Sequence, residues 1–118
     1  MLNLTISIQA IFYGNRAACY SNMGEFELAV DDCNHALELT PEYVKVLIRR
    51  SQAYEKLEKL DEALADAKRI QEIDTQYPKI SSLVKRLEFS VQEKNNKLKD
   101  EALGTVLLYP ASYGSFIF

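Results

Sequence analysis

Sliding the chain against itself by 34 positions brings Tyr20 onto Tyr54, Ala29 onto Ala63, Asp32 onto Asp66, Glu38 onto Glu72, Tyr43 onto Tyr77 and Lys45 onto Lys79. An offset held across three units means that one local structure is repeated, and a unit that short cannot bury its apolar face alone. Each unit must therefore stack on the next. Apolar spacing within the units predicts paired helices over Ala10–Met23 and Glu25–Leu39, then Val44–Leu57 and Asp61–Ile73. Gly24 separates the first pair. The stretch "TPEY", Thr40–Tyr43, ends one helix and opens the next, because proline suits a first helical turn and not an interior. Asp61 is the expected N-cap of the fourth helix, with Leu60 and Leu64 closing the turn around it. Small residues recur where the helices should meet: Ala17, Ala29, Cys33 and Ala36, then Ser51, Ala63 and Ala67, with Tyr20 and Tyr54 as bulky complements.

A third long helix, Pro78–Glu101, follows in phase but loses the pattern, since Glu88 stands where the repeat has Tyr54. Its end, "VQEKNNKLKDE", is strongly charged and reads as a solvating cap, which stacked arrays need. The expected fold class is all-α: two helical hairpins and a capping helix, divided as an extension at 1–9, units at 10–43 and 44–77, the cap at 78–101 and an apolar tail at 102–118.

Charge narrows the function. With 118 residues and a net charge of −3, the chain is one domain at most and lacks the basic footprint of a general nucleic-acid binder. Two cysteines and one histidine, His35, fall short of an ordinary zinc site and of a disulfide framework, so no metal or cofactor is expected and a reducing, cytoplasmic setting is. Both cysteines are placed on packing stripes as inert thiols. No stretch is long and apolar enough to span a membrane, and "MLNLTISIQAIF" lacks the basic segment and cleavage site of an export signal. Carboxylates are plentiful, but Asp32 and Asp66 recur with the repeat, which marks them as structural or solvated. His35 has no nucleophile at a defined spacing and no glycine-rich phosphate loop occurs, so no catalytic residue is assigned.

The stretch "EYVKVLIRR", Glu42–Arg50, sets Lys45, Arg49 and Arg50 in an otherwise apolar run. Lys45 and Arg49 lie one helical turn apart on one side, while Arg50 is rotated away. Asn15 precedes Arg49 by one repeat, so the two occupy the same position on successive first helices, about one helix spacing of 8–10 Å apart.

Paired helices of this length, with small residues at these positions, resemble the tetratricopeptide repeat family. The match covers Ala10 to Ile73, and the stretch from "NRAACYSNMGEF" to "KVLIRR" is similar to the carboxylate-clamp subclass. That resemblance implies a right-handed solenoid and a non-catalytic adapter, similar to soluble three-repeat adapters of the family. Its groove holds the C-terminal carboxylate and last aspartate of heat-shock chaperones. It assigns Asn15, Lys45 and Arg49 to that carboxylate, on a concave surface continued by Asn22, Ile48, Gln52 and Lys56. The subclass draws a further lysine and asparagine from a repeat that would precede Ala10. "MLNLTISIQA" supplies neither, so a shortened chain and a weakened clamp are expected. The alternative is a general scaffold that takes a folded partner or amphipathic helix by shape and apolar contact.

Without a preceding unit, the first helix should expose some of Ile11, Phe12 and Ala18, an opening for self-association. Leu2, Leu4, Ile6 and Ile8 alternate as in a strand and then run into helix, so they either extend that helix or form an edge strand. The tail "TVLLYPASYGSFIF" has no charge, and Pro110 and Gly114 argue against a continuous helix through it, leaving it docked or disordered.

Overall fold

The computed structural model describes residues 2–112, with side chains over 3–103. Five helices follow in order: α1 Leu2–Asn22, α2 Phe26–Leu39, α3 Val44–Lys56, α4 Leu60–Ile73 and α5 Ile80–Ser112. Among the described residues there is no strand. Each helix packs on its neighbours in the chain, and α1 also meets α3, so the hairpins α1–α2 and α3–α4 stack and α5 closes the second.

The small residues sit where the repeat requires them. Ala17, Cys33 and Ala36 are buried against Val46, with Tyr13, Leu37 and Tyr43 around them, joining α1, α2 and α3. A second cluster, Leu47, Ala63, Ala67, Ile70, Ile80, Val84 and Leu87, joins α3, α4 and α5. Ala29, Val30 and Ala53 form the third, under the half-buried Tyr20 and Tyr54. Alanine at these seams lets backbones approach, and the facing tyrosines fill what alanine leaves. The buried Ser51 hydroxyl donates to the Ala63 carbonyl at 2.9 Å, which satisfies a polar group on the α3–α4 seam. Gly14 marks a close approach between the hairpins: a Cβ there would lie 2.9 Å from Val46 Cγ2.

Both hairpins turn in the same way. After α1, the Glu25 N–H donates to the Tyr20 carbonyl at 2.8 Å and the Gly24 N–H to that of Ser21 at 3.0 Å, with Gly24 at φ +79°. This is a Schellman ending, for which glycine is the natural residue. After α3 the same bonds recur, Lys59 to Tyr54 and Glu58 to Glu55, but Glu58 holds the left-handed position at φ 60°.

Several sequence expectations are corrected. Helix α1 begins at Leu2, so residues 2–9 extend the first helix; no strand edge among the described residues could pair their backbone, and a helix satisfies its own N–H and C=O groups. Asp61 is not the N-cap: α4 starts at Leu60 after Lys59, which makes no side-chain cap bond, and Asp61 lies in the first turn, where its charge favours the helix dipole. Helix α5 starts at Ile80, because Lys79 takes a left-handed φ of 63° after Pro78. It continues through Gly104 and Pro110 to Ser112, longer than the 78–101 expected; a single proline removes one ladder bond, and near a helix end that loss is small. Residues 113–118, with Gly114, lie outside the described residues. Cys33 is buried as expected, but Cys19 is exposed, on the outer side of α1.

Candidate functional site

The three cations of "EYVKVLIRR" take three different environments. Arg50 turns into the hairpin: its Nε and Nη2 donate to the two carboxylate oxygens of buried Asp66 at 2.8 and 2.6 Å, and Nη1 donates to Asn34 Oδ1 at 2.8 Å. Bidentate pairing of this kind is strong and directional. Asp66 and partial burial have opposite effects on the guanidinium, and the hydrogen bonds win, so Arg50 is held charged above its ordinary range. The first unit repeats the device, with Arg16 Nε and Nη2 on Asp32 at 2.7 and 2.8 Å, and Arg16 is likewise held charged. The recurrence of Asp32 and Asp66 thus has a structural cause. Sequence reasoning missed the arginines, although Arg16 and Arg50 share the offset and both lie sixteen positions before their aspartates.

Arg49 is half-buried at the α1–α3 seam, where Nη1 donates to the Gly14 carbonyl at 2.9 Å. That bond places its guanidinium against the turn of α1 that carries exposed Asn15. Lys45, one turn earlier on α3, is exposed and has no ion pair among the described residues. Farther along the same side of α3, Gln52 and Lys56 line a cleft of about 360 Å³ with Ser21, Phe26, Ala53 and Glu55. Asn22 is exposed beside Ser21 at the end of α1. Ile48 is half-buried and packs against the α3–α4–α5 core, so the cleft takes its apolar floor from Phe26 and Ala53 instead.

One group in this region was not anticipated. Arg86 of α5 pairs with both carboxylate oxygens of Glu55, Nη2 to Oε1 at 3.0 Å, and ties the capping helix to the end of α3. Arg86 holds the Glu55 carboxyl below its usual range. A spacing of 31 residues is off the repeat, so no periodic signal announced it.

Cys33 and His35 have structural surroundings. Burial pushes the Cys33 thiol up to about 12, which keeps it un-ionised. His35 stacks on Tyr13 with ring centroids 5.1 Å apart. Among the described residues no group of three or more metal-ligating side chains converges, and no helix is long and apolar enough to cross a membrane.

Comparison with known proteins agrees with this architecture. Human sperm-associated antigen 1 is 39% identical over 103 residues, 87% of this chain but 11% of that protein. The chain therefore spans about a tenth of the length of the curated relatives it matches first. A structure described as the first TPR of Spaghetti (RPAP3) bound to the HSP90 peptide SRMEEVD superposes with a TM-score of 0.67 at 29% identity, covering 70% of this chain and 66% of that one. The second TPR domain of human RPAP3, in complex with the HSP70 peptide SGPTIEEVD, superposes with a TM-score of 0.63 at 28% identity, covering 68% and 67%. Likeness to peptide-binding domains of this kind is what a protein-interaction module shows. Family models described as tetratricopeptide repeat match residues 10–43 and 44–77, the two stacked hairpins. The chain belongs to the tetratricopeptide repeat family.

Proposed function

We propose that this chain is a non-catalytic, cytoplasmic adapter module that binds the acidic C-terminal peptide of a heat-shock chaperone along the α1–α3 surface. Asn15, Lys45 and Arg49 hold the terminal carboxylate, and Asn22, Gln52 and Lys56 line the path of the preceding residues. The observation that carries this reading is the placement of Arg49, whose bond to the Gly14 carbonyl aims a cation at the Asn15 turn while its remaining donors make no other hydrogen bond among the described residues. Exposed Lys45, which forms no ion pair among the described residues, adds a second charge one turn away. Similarity to domains solved with SRMEEVD and SGPTIEEVD supports an acidic chain end as the ligand.

Titration with SRMEEVD, free and C-terminally amidated, tests the terminal charge. A charge-assisted hydrogen bond contributes about 1.5–3 kcal/mol, so amidation should weaken binding by at least about tenfold. Lys45→Ala should do the same without touching the Arg49–Gly14 contact. Equal affinity for the two peptides would remove the clamp and leave a scaffold that works by shape and apolar contact.

A further inference from the structure

Arg86 follows Gln52 by one repeat, so it stands on α5 where Gln52 stands on α3, on the same side of the array. Its guanidinium reaches back to both carboxylate oxygens of Glu55, which lines the 360 Å³ cleft with Gln52 and Lys56. The surface thus sets the cations Lys45, Arg49, Lys56 and Arg86 around a carboxylate of its own, Glu55. Solvent reaches this pair, since the Arg86 side chain is 54% exposed and that of Glu55 29%. Helix α5 does not depend on it for its seat, because Ile80, Val84 and Leu87 are buried in the α3–α4–α5 core.

Helical rise fixes what the pair would meet. Glu55 follows Arg49 by six residues, an axial distance of about 9 Å. An extended peptide covers that distance in about three residues at roughly 3.3 Å each. A chain end with its terminal carboxylate at Arg49, running toward Lys56, therefore brings the residues two and three positions upstream level with Glu55. In both SRMEEVD and SGPTIEEVD those two residues are glutamates.

We infer that Arg86 is a further specificity-determining residue, which takes a glutamate of the acidic chain end, and that Glu55 is the internal carboxylate displaced by it. The exchange replaces one guanidinium–carboxylate pair by another. A ligand with an upstream acid restores what it breaks, whereas one without leaves Arg86 on Glu55 and gains nothing there. This assignment rests on the proposed peptide-binding role of the surface, but the two fail separately: the clamp responds to the terminal carboxylate, and Arg86 to the glutamates.

Titration of SRMEEVD against SRMQQVD, which keep the same last two residues, measures the glutamate preference. The unaltered chain should prefer SRMEEVD about tenfold. Removing the internal competitor by Glu55→Gln should tighten SRMEEVD about fivefold and leave SRMQQVD nearly unchanged. Arg86→Gln should reduce the preference to less than about threefold, and adding Glu55→Gln to it should not restore it. Arg86→Lys, which keeps a cation on the cap, should still prefer SRMEEVD, and circular dichroism melts check that each variant is folded. If Glu55 and Arg86 serve only to tether the cap, Glu55→Gln loosens α5 and both peptides bind equally well or more weakly than before. That result, or a preference untouched by Arg86→Gln, overturns the inference. Absence of binding by either peptide overturns it together with the clamp. Equal affinity for free and amidated SRMEEVD, with the glutamate preference intact, removes the clamp alone and supports Arg86.

Discussion

At the scale of single residues, two ion pairs with the same pairing of atoms are not equivalent. Asp66 and Asp32 are both buried, but Arg50 is much better covered than Arg16 and has Asn34 as a third partner. Removing one partner of a covered pair strands the other, whereas a guanidinium open to water is readily re-solvated. Asp66→Asn should therefore cost about 2–3 kcal/mol in chemical denaturation. Asp32→Asn should cost distinctly less, and equal losses would contradict the role given to coverage. The aspartates were legible in the sequence as repeating positions, yet their function was not, because periodicity reports that a site recurs and not which partner it meets. Arg50 shows the same limit: helical spacing turned it away from Lys45 and Arg49, but only packing showed that it turned onto a carboxylate. Cys19 failed differently. It lies near the α1 seam in sequence, and a shift of about 100° per residue was enough to put it in solvent.

At the scale of elements, the paired helices and small-residue seams were legible because burial imposes them once per repeat. Ends of elements were less so. Helix α1 starts eight residues early and α5 passes Pro110, since helix extension needs no tertiary partner and leaves no periodic trace. The α3–α4 turn carries an avoidable cost. Glu58 adopts the left-handed conformation that Gly24 adopts in the first hairpin, and a residue with a Cβ pays about 1–2 kcal/mol there. Part of that gain is offset by the freer unfolded chain, so Glu58→Gly should stabilise by about 0.5–1 kcal/mol, read as a rise of a few degrees in the thermal midpoint. Docking of α5 adds a pH dependence. Glu55 has its folded carboxyl held below the ordinary value of 4.5 by Arg86, so this contribution is fully present above that value and is lost as pH falls through the lower, folded one. Thermal melts from pH 7 to 3 should show a midpoint difference between the parent and Glu55→Gln that closes with acid; a constant difference would assign Glu55 another role.

Across the whole molecule, stability is a sum over neighbouring hairpins, with few contacts beyond the next unit. Leu87 is fully buried between α5 and the α3–α4 hairpin, and Leu87→Ala should cost about 2–5 kcal/mol. Hydrogen exchange should quicken mainly in α3, α4 and α5, with α1–α2 changed least; uniform loss of protection would mean that the array melts as one unit. The guanidinium–aspartate grips have a last implication for how such a chain tolerates change. Each spans sixteen positions from one helix of a hairpin to the other, across the intervening turn. One residue inserted or deleted inside the helical part of either span turns the aspartate by about 100° and takes it out of reach of its arginine. The grips therefore fix the phase of the helices on either side of each turn.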